Sequence, residues 1–140
     1  MTKIPTWFYL IAGVALLWNL VGAGAVIMNF MITPETLLSL PPEQQQLYAK
    51  TPMWSSYASL LAVVAGTLGS LSLLFKKAWA YPLFILSIVG LVVQDIAIFI
   101  VVDALEILGA PVLIMQGFVG LIAIALLFLA KYAISQQWIK

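Results

Sequence analysis

The sequence contains no cysteine, no histidine and no arginine, because all six of its basic residues are lysines. Without Cys or His, disulfides, thiolate nucleophiles, haem ligation through His and the usual zinc sites are excluded. Charged residues make up only 8% of the 140 positions, and no basic patch exists to bind nucleic acid. Carboxylates alone offer a thin catalytic repertoire. We therefore predict no metal, no cofactor, no catalytic residue and no enzymatic activity.

The chain is rich in long apolar segments. Hydrophobic residues make up 64% of it, and its mean hydropathy is +1.14. Four helices are predicted at about 6–32, 54–75, 79–108 and 111–132, each long enough to cross a hydrocarbon core of about 30 Å. The prediction is an all-α membrane protein: an antiparallel four-transmembrane-helix bundle with a short helical outer loop, forming one transmembrane domain over residues 1–140.

Proline and glycine mark the connections on one side of the membrane. In the loop 33–53, Thr33-Pro34-Glu35 is typical of a helix start, and Pro41-Pro42-Glu43 is typical of a second start after a break. Two short helices are expected, lying on the bilayer surface or folding over the bundle as a lid. Gly109 followed by Pro111 predicts a tight turn between the last two spans.

The lysines indicate the orientation of the bundle. Lys3, Lys76, Lys77, Lys131 and Lys140 fall on one side of the four spans, and Lys50 falls on the other. The positive-inside rule then places both termini in the cytoplasm, in a multi-pass arrangement. An inner interfacial belt is expected from six aromatic residues: Trp7, Tyr9, Trp79, Tyr81, Tyr132 and Trp138.

Small residues recur every four positions along the second span. They are Ala58, Ala62, Gly66 and Ser70, and they predict a groove that another helix can approach closely. The groove serves packing within one bundle or pairing between protomers, and the pattern is compatible with both. Gly117 and Gly120 suggest a similar surface on the fourth span.

Polar residues inside the apolar spans are the candidate sites for substrate or proton binding. An ionisable residue at this depth is costly and is a functional candidate by default. The candidates are six polar side chains: Asp95, Gln94, Asn19, Gln116, Asp103 and Glu106. On a continuous helix, Glu106 lies about 20° and Asp103 about 80° around from Asp95. The three carboxylates would then form a stripe that, with Asn19 and Gln116, lines an outward-opening polar cavity.

Asp95 is the one acidic residue well inside a span. Its insertion costs about 2.5 to 3.5 kcal/mol, whereas the fifteen Leu, Ile, Val and Phe residues between Leu83 and Val102 contribute roughly 4.5 to 9 kcal/mol in favour. The third span therefore inserts without a partner for Asp95. Two hypotheses stand equally: Asp95 binds a proton or cation, or it donates a hydrogen bond between helices.

The sequence resembles a family of small four-transmembrane-helix bacterial inner-membrane proteins, often labelled sugar transporters without an established activity. The segments that carry the resemblance are 18–22, 40–54, 66–80 and 84–87. The family pattern has Gln at the position of Gln94 followed by an apolar residue, so Asp95 is a departure from it. The resemblance thus implies that a shared function rests on Asn19 and Gln94.

Three functions are compatible with these features. The first, and the one that the sequence favours, is transport or binding of a small polar solute, with or without proton coupling, through the outward-facing cavity. The second is a structural or accessory subunit of a larger membrane complex, which fits the small size and the small-residue groove. The third is binding of a lipid or quinone. The expected partners are the lipid bilayer and either a second copy of the chain or a larger membrane complex.

Overall fold

The computed structural model describes residues 3–140, and Met1 and Thr2 of the predicted domain 1–140 lie outside the described residues. The described part is helical and contains no strand. Seven α-helices follow one another: α1 Thr6–Phe30, α2 Pro34–Leu38, α3 Pro42–Lys50, α4 Met53–Leu74, α5 Ala80–Ile96, α6 Ala104–Leu108 and α7 Ala110–Ser135. Helices α1, α4 and α7, with α5 extended to Val101, are long and apolar enough to cross a membrane. The predicted all-α membrane fold is confirmed.

The bundle has two chemically different ends. One end, the lysine-rich end, carries the start of α1, the turn between α4 and α5, and residues 136–140. The other, the loop end, carries α2, α3 and α6. Each long helix runs antiparallel to the next one along the chain.

Helix α4 is at the centre of the packing, with α1 on one side and α5 on the other, and α7 packs against α5. Helices α4 and α5 approach each other closely at Gly90. A Cβ atom there would lie 2.7 Å from the carbonyl oxygen of Ala58 and 2.8 Å from the amide nitrogen of Ala62. Residues Ala58, Ala62, Gly66 and Ser70 are all buried within the chain. This small-residue groove is therefore filled by α5 and, at Gly66, by α1.

The glycines of α7 have a different environment. A Cβ atom added at Gly117 or Gly120 would meet nothing within 4 Å. The expectation that these glycines form a second packing surface is therefore not met within the described residues. Small size alone cannot reveal packing, because a glycine that faces lipid looks the same in the sequence as one that faces a helix.

The loop contains the two short helices expected from its prolines. The Oγ1 atom of Thr33 accepts a hydrogen bond of 3.2 Å from the amide of Thr36, and Pro34 occupies the first turn of α2. Pro42 begins α3, which packs against α6. The hydroxyl of Tyr48 donates a hydrogen bond to Asn29 near the end of α1. The loop thus lies against the end of the bundle.

The third span differs from the expected continuous helix 79–108. After α5 the backbone forms a π-helical segment, Ala97–Val101, in which Val102 donates a 2.8 Å hydrogen bond to the carbonyl of Ala97. Asp103 then adopts a left-handed conformation with φ of 57°. Aspartate is one of the few residues other than glycine that tolerates this region. The predicted stripe of carboxylates required an unbroken helix, so its angles do not apply beyond Val101.

The chain folds back at the lysine-rich end. Helix α7 ends at Ser135, beyond the expected 132, and Gln137 adopts φ of 61°. The amide of Trp138 then donates a hydrogen bond of 2.9 Å to the carbonyl of Ala133. The ring of Trp138 packs edge-on against Trp7, Phe8 and Tyr132. Trp138 is only 6% exposed. It is therefore a core residue of the fold and not the interfacial anchor that the sequence suggested.

Candidate functional site

A cavity of about 290 Å³ lies among the four long helices. Its walls are mostly apolar and include Trp18 of α1, Phe84 of α5, and Met115 and Leu126 of α7. The polar residues in its lining are Asn19 and Ser87. Ligand pockets typically combine apolar walls with a few placed polar groups, so this cavity is the candidate functional site.

Asn19 is held in a fixed orientation by α1 and α4. Its Nδ2 donates to the carbonyl of Ala15 at 2.9 Å and to Oγ of Ser70 at 3.4 Å. Its Oδ1 lies against Gly66, where an added Cβ atom would overlap it. Both amide hydrogens of Asn19 are therefore engaged by the protein, which leaves its carbonyl oxygen as the free functional atom.

Two buried serines near Asn19, Ser87 of the cavity and Ser70 beside it, are also committed to the helices. The hydroxyl of Ser87 donates to the carbonyl of Ala62 at 2.7 Å, and that of Ser70 donates to the carbonyl of Gly66 at 2.9 Å. A hydroxyl that has given its one hydrogen can still accept. The cavity consequently presents hydrogen-bond acceptors, Oδ1 of Asn19 and Oγ of Ser87. Such a site suits a ligand with a hydroxyl or amide donor and does not suit an anion.

A second cavity of about 570 Å³ adjoins the first, between α1 and α7. The two share Trp18, Ile122 and Leu126 in their walls, and the second extends towards Tyr132 at the lysine-rich end. Trp18 meets Phe118 edge-on across the gap, with ring centroids 5.9 Å apart. We refer to the two cavities together as the α1–α7 groove. It lies on the flank of the bundle, where the side chains of Val14, Met115 and Leu121 are exposed.

Gln94 lies in the interface of α4 and α5, towards the loop end. Its Oε1 accepts a hydrogen bond of 2.8 Å from Ser59. Ser59 Oγ also lies 3.1 Å from the carbonyl of Ser55. Gln94 therefore links two helices that are already in close contact, and this bond is of the interhelical kind common in membrane bundles.

Asp95 is partly exposed on α5. Its Oδ1 is buried and has no hydrogen-bond partner among residues 3–140. Gln116 lies on α7, next to Met115 of the cavity wall, and is also partly exposed. The proton-binding and hydrogen-bonding hypotheses for Asp95 both remain predictions.

Asp103 and Glu106 lie together in a groove at the loop end. This groove, of about 660 Å³, is also lined by Glu43, Gln46 and Lys50. The side-chain hydrogen bond and negative charge of Asp103 raise the pKa of Glu106, while Lys50 acts in the opposite direction. The groove is thus polar, exposed and separate from the site around Asn19.

The structure distributes the six candidates over several places. Asn19 belongs to the central cavity, Gln94 to the α4–α5 interface, and Asp103 and Glu106 to the loop-end groove. Ser87 belongs to the cavity but was not among the predicted site residues. The sequence did contain an indication of Ser87, because it precedes Gln94 by seven residues and a spacing of seven places both residues on one face of α5.

No protein-family model, curated protein or solved structure matches this chain. The resemblance to the small four-helix inner-membrane family therefore stays a prediction from the sequence. Two of the segments that carry it, 18–22 and 84–87, contain the cavity residues Asn19 and Ser87.

Proposed function

We propose that this membrane protein binds a small amphiphilic molecule, a lipid or quinone-like compound, in the α1–α7 groove. The observation that carries the proposal is the pairing of apolar walls with two acceptor atoms, Oδ1 of Asn19 and Oγ of Ser87. A hydroxyl-bearing head group would donate to these atoms. Its apolar remainder would lie in the second cavity, along Trp18 and Leu126.

The location of the groove supports a ligand that arrives from the bilayer. Helix α1 contacts α4, and α7 contacts α5, so the groove lies between the two helices at the edge of the packed pair. A lipid-soluble molecule reaches such a site sideways without crossing a polar passage. Transport of a polar solute and membership of a larger complex stay predictions from the sequence, and the largely apolar walls favour the amphiphile over a sugar.

The proposal is tested with a matched pair of probes: a brominated long-chain alcohol and its methyl ether. Bromine quenches tryptophan fluorescence at short range, and Trp18 lines both cavities. We expect the alcohol to quench more strongly than the ether, because only the alcohol donates a hydrogen bond. Quenching by probe bound in the groove reaches a maximum as the probe concentration rises, and Trp18→Phe should remove most of this saturable quenching.

Asn19→Ala should remove the preference for the alcohol over the ether. The loss of one well-formed hydrogen bond should weaken the affinity for the alcohol about tenfold. Asn29→Ala is the matched control, since Asn29 lies on the same helix but bonds to Tyr48 at the loop end. Equal quenching by both probes, together with no effect of Asn19→Ala, would refute the proposal.

We further propose that the lysine-rich end faces the cytoplasm of a bacterial inner membrane. Five of the six lysines lie at or near this end, which is the bias that the positive-inside rule describes. The cysteine-free sequence allows a direct test with single cysteines. Gln44→Cys should react with an impermeant maleimide on intact spheroplasts, and Gln137→Cys only after permeabilisation. The opposite labelling pattern would reverse the orientation.

A further inference from the structure

The lysine-rich end contains a pocket of about 560 Å³ that is separate from the α1–α7 groove. Its lining includes Lys3 before α1, Lys76 after α4, and Lys140 after α7, together with Tyr9 and Gln137. Three side chains that carry ammonium groups thus come from three distant parts of the sequence to one pocket.

The folded-back tail forms this pocket. The amide of Lys140 donates a hydrogen bond of 3.1 Å to the carbonyl of Lys76, and this bond ties residue 140 to the end of α4. Lys76 itself has φ of 61°, and the amide of Lys77 closes the helix end with a 2.7 Å bond to the carbonyl of Ser72. Two like-charged residues are therefore held side by side through their backbones.

Acidic side chains do not balance this charge. The five acids of the sequence are Glu35, Glu43, Asp95, Asp103 and Glu106. Four of them belong to the loop end, and Asp95 lies roughly 22 Å along α5 from its start at Ala80. That distance exceeds the screening length of about 8 Å in physiological salt. No acidic side chain among residues 3–140 therefore lies close enough to neutralise the three lysines.

Helix dipoles do not balance the charge either. The C-terminal ends of α4 and α7 lie here, each equivalent to about half a negative charge, but so do the N-terminal ends of α1 and α5, each equivalent to about half a positive charge. The two contributions cancel, and the charge of the three lysines that line the pocket remains. Trp138 forms part of the wall and carries a buried Nε1 without a partner among residues 3–140.

We propose that this pocket binds a phosphate group through Lys3, Lys76 and Lys140. A phosphate carries one to two negative charges and several acceptor oxygens, and lysine binds it as a point charge. The hydroxyl of Tyr9 and the amide of Gln137 supply further donors in the lining. The phosphate belongs either to a lipid head group or to a soluble phosphate ester, because the pocket is at the end of the membrane-spanning helices.

The test measures ligand retention by the full chain in neutral maltoside micelles, using native mass spectrometry. The probes are phosphatidic acid, diacylglycerol as the same lipid without phosphate, and glycerol phosphate as the soluble head group. We expect phosphatidic acid to bind at least about tenfold more tightly than diacylglycerol, whose hydroxyl suits only the α1–α7 groove, and we expect Lys76→Gln to leave diacylglycerol binding unchanged. If glycerol phosphate competes with phosphatidic acid at similar concentration, the site belongs to soluble phosphate esters. If it does not compete, the site belongs to lipid.

Matched variants separate the pocket from general surface charge. Lys76→Gln should weaken phosphatidic acid binding about tenfold, whereas Lys77→Gln, which removes the same charge from a neighbouring residue outside the pocket lining, should change it less than about twofold. Lys76→Arg should restore binding, which excludes a mere folding defect. Equal loss of phosphatidic acid binding in Lys76→Gln and Lys77→Gln, or no loss in either variant, would overturn the proposal.

Discussion

Helices α4 and α7 are both apolar and of membrane-spanning length, yet the chain buries them to very different degrees. In an 18-residue stretch of α4, 44% of the residues are buried, against 6% in the corresponding stretch of α7. Helix α4 packs against α1 and α5, whereas the main partner of α7 among the long helices is α5. The bundle therefore consists of a tightly packed α4–α5 pair to which α7 is more loosely attached.

The difference arises from side-chain size along each helix. The buried face of α4 consists largely of serine, alanine and glycine, which allow backbones to approach. On α7, Leu113, Ile114 and Leu121 are exposed, and the two glycines meet no neighbour. The α1–α7 groove therefore lies between two helices that do not pack closely against each other.

The largest predicted effect concerns the attachment of α7 at the lysine-rich end. Trp138→Ala should destabilise the fold by about 3 to 5 kcal/mol, the usual cost of removing a buried aromatic. The loss should appear mainly in α7 and α1, because Trp138 contacts Tyr132, Trp7 and Phe8. Hydrogen exchange measured helix by helix would reveal it.

Trp79→Ala is the control for this experiment, since Trp79 is 70% exposed. If Trp138→Ala raised exchange equally in α4, α5 and α7, the division into a tight pair and a loose helix would be wrong.

A smaller effect is expected in the tight pair itself. Gly90→Ala places a methyl group against the backbone at Ala58 and Ala62, and overpacking of this kind typically costs about 1 to 3 kcal/mol. Gly117→Ala meets open space and should be neutral, or stabilising by up to about 1 kcal/mol through helix propensity. Unfolding by dodecyl sulfate in mixed micelles would measure both. Equal effects of the two variants would contradict the comparison.

The smallest effect concerns the loop end, where α6 contacts both α7 and α3. Because the pKa of Glu106 is raised by Asp103, the folded state holds this proton more tightly than the unfolded state. Stability should therefore decrease slightly as the pH rises from the ordinary glutamate value of 4.5 through the higher folded-state pKa. Unfolding at several pH values should show this slope in the wild type and lose it in Glu106→Gln. An unchanged slope in the variant would assign it to another group.

The sequence predicted the features that depend on local chemistry. Hydropathy located the four spans, and Thr33, Pro34 and Pro42 marked the loop helices. The small-residue pattern on α4 identified a face that is indeed buried. These inferences succeed because membrane insertion and helix capping act on short stretches of chain.

The position of the cavity could not be predicted in the same way. In a membrane, a side chain that faces lipid and one that faces a helix are equally apolar, so hydropathy does not separate them. Asn19 was recognised as polar at depth, but its partners Ser70 and Gly66 depend on how α1 crosses α4. The fold-back of Trp138 likewise depends on contacts with the far end of the chain.

The π-helical segment Ala97–Val101 has a consequence for how this chain tolerates changes in length. Its closing bond spans five residues where an α-helix spans four, so the segment accommodates one residue more than a regular helix needs. Deleting a single residue there should convert it to ordinary helix without opening the α4–α5 contact. The π segment thus behaves as a one-residue insertion near the loop end of α5, a place where homologues are expected to differ in length.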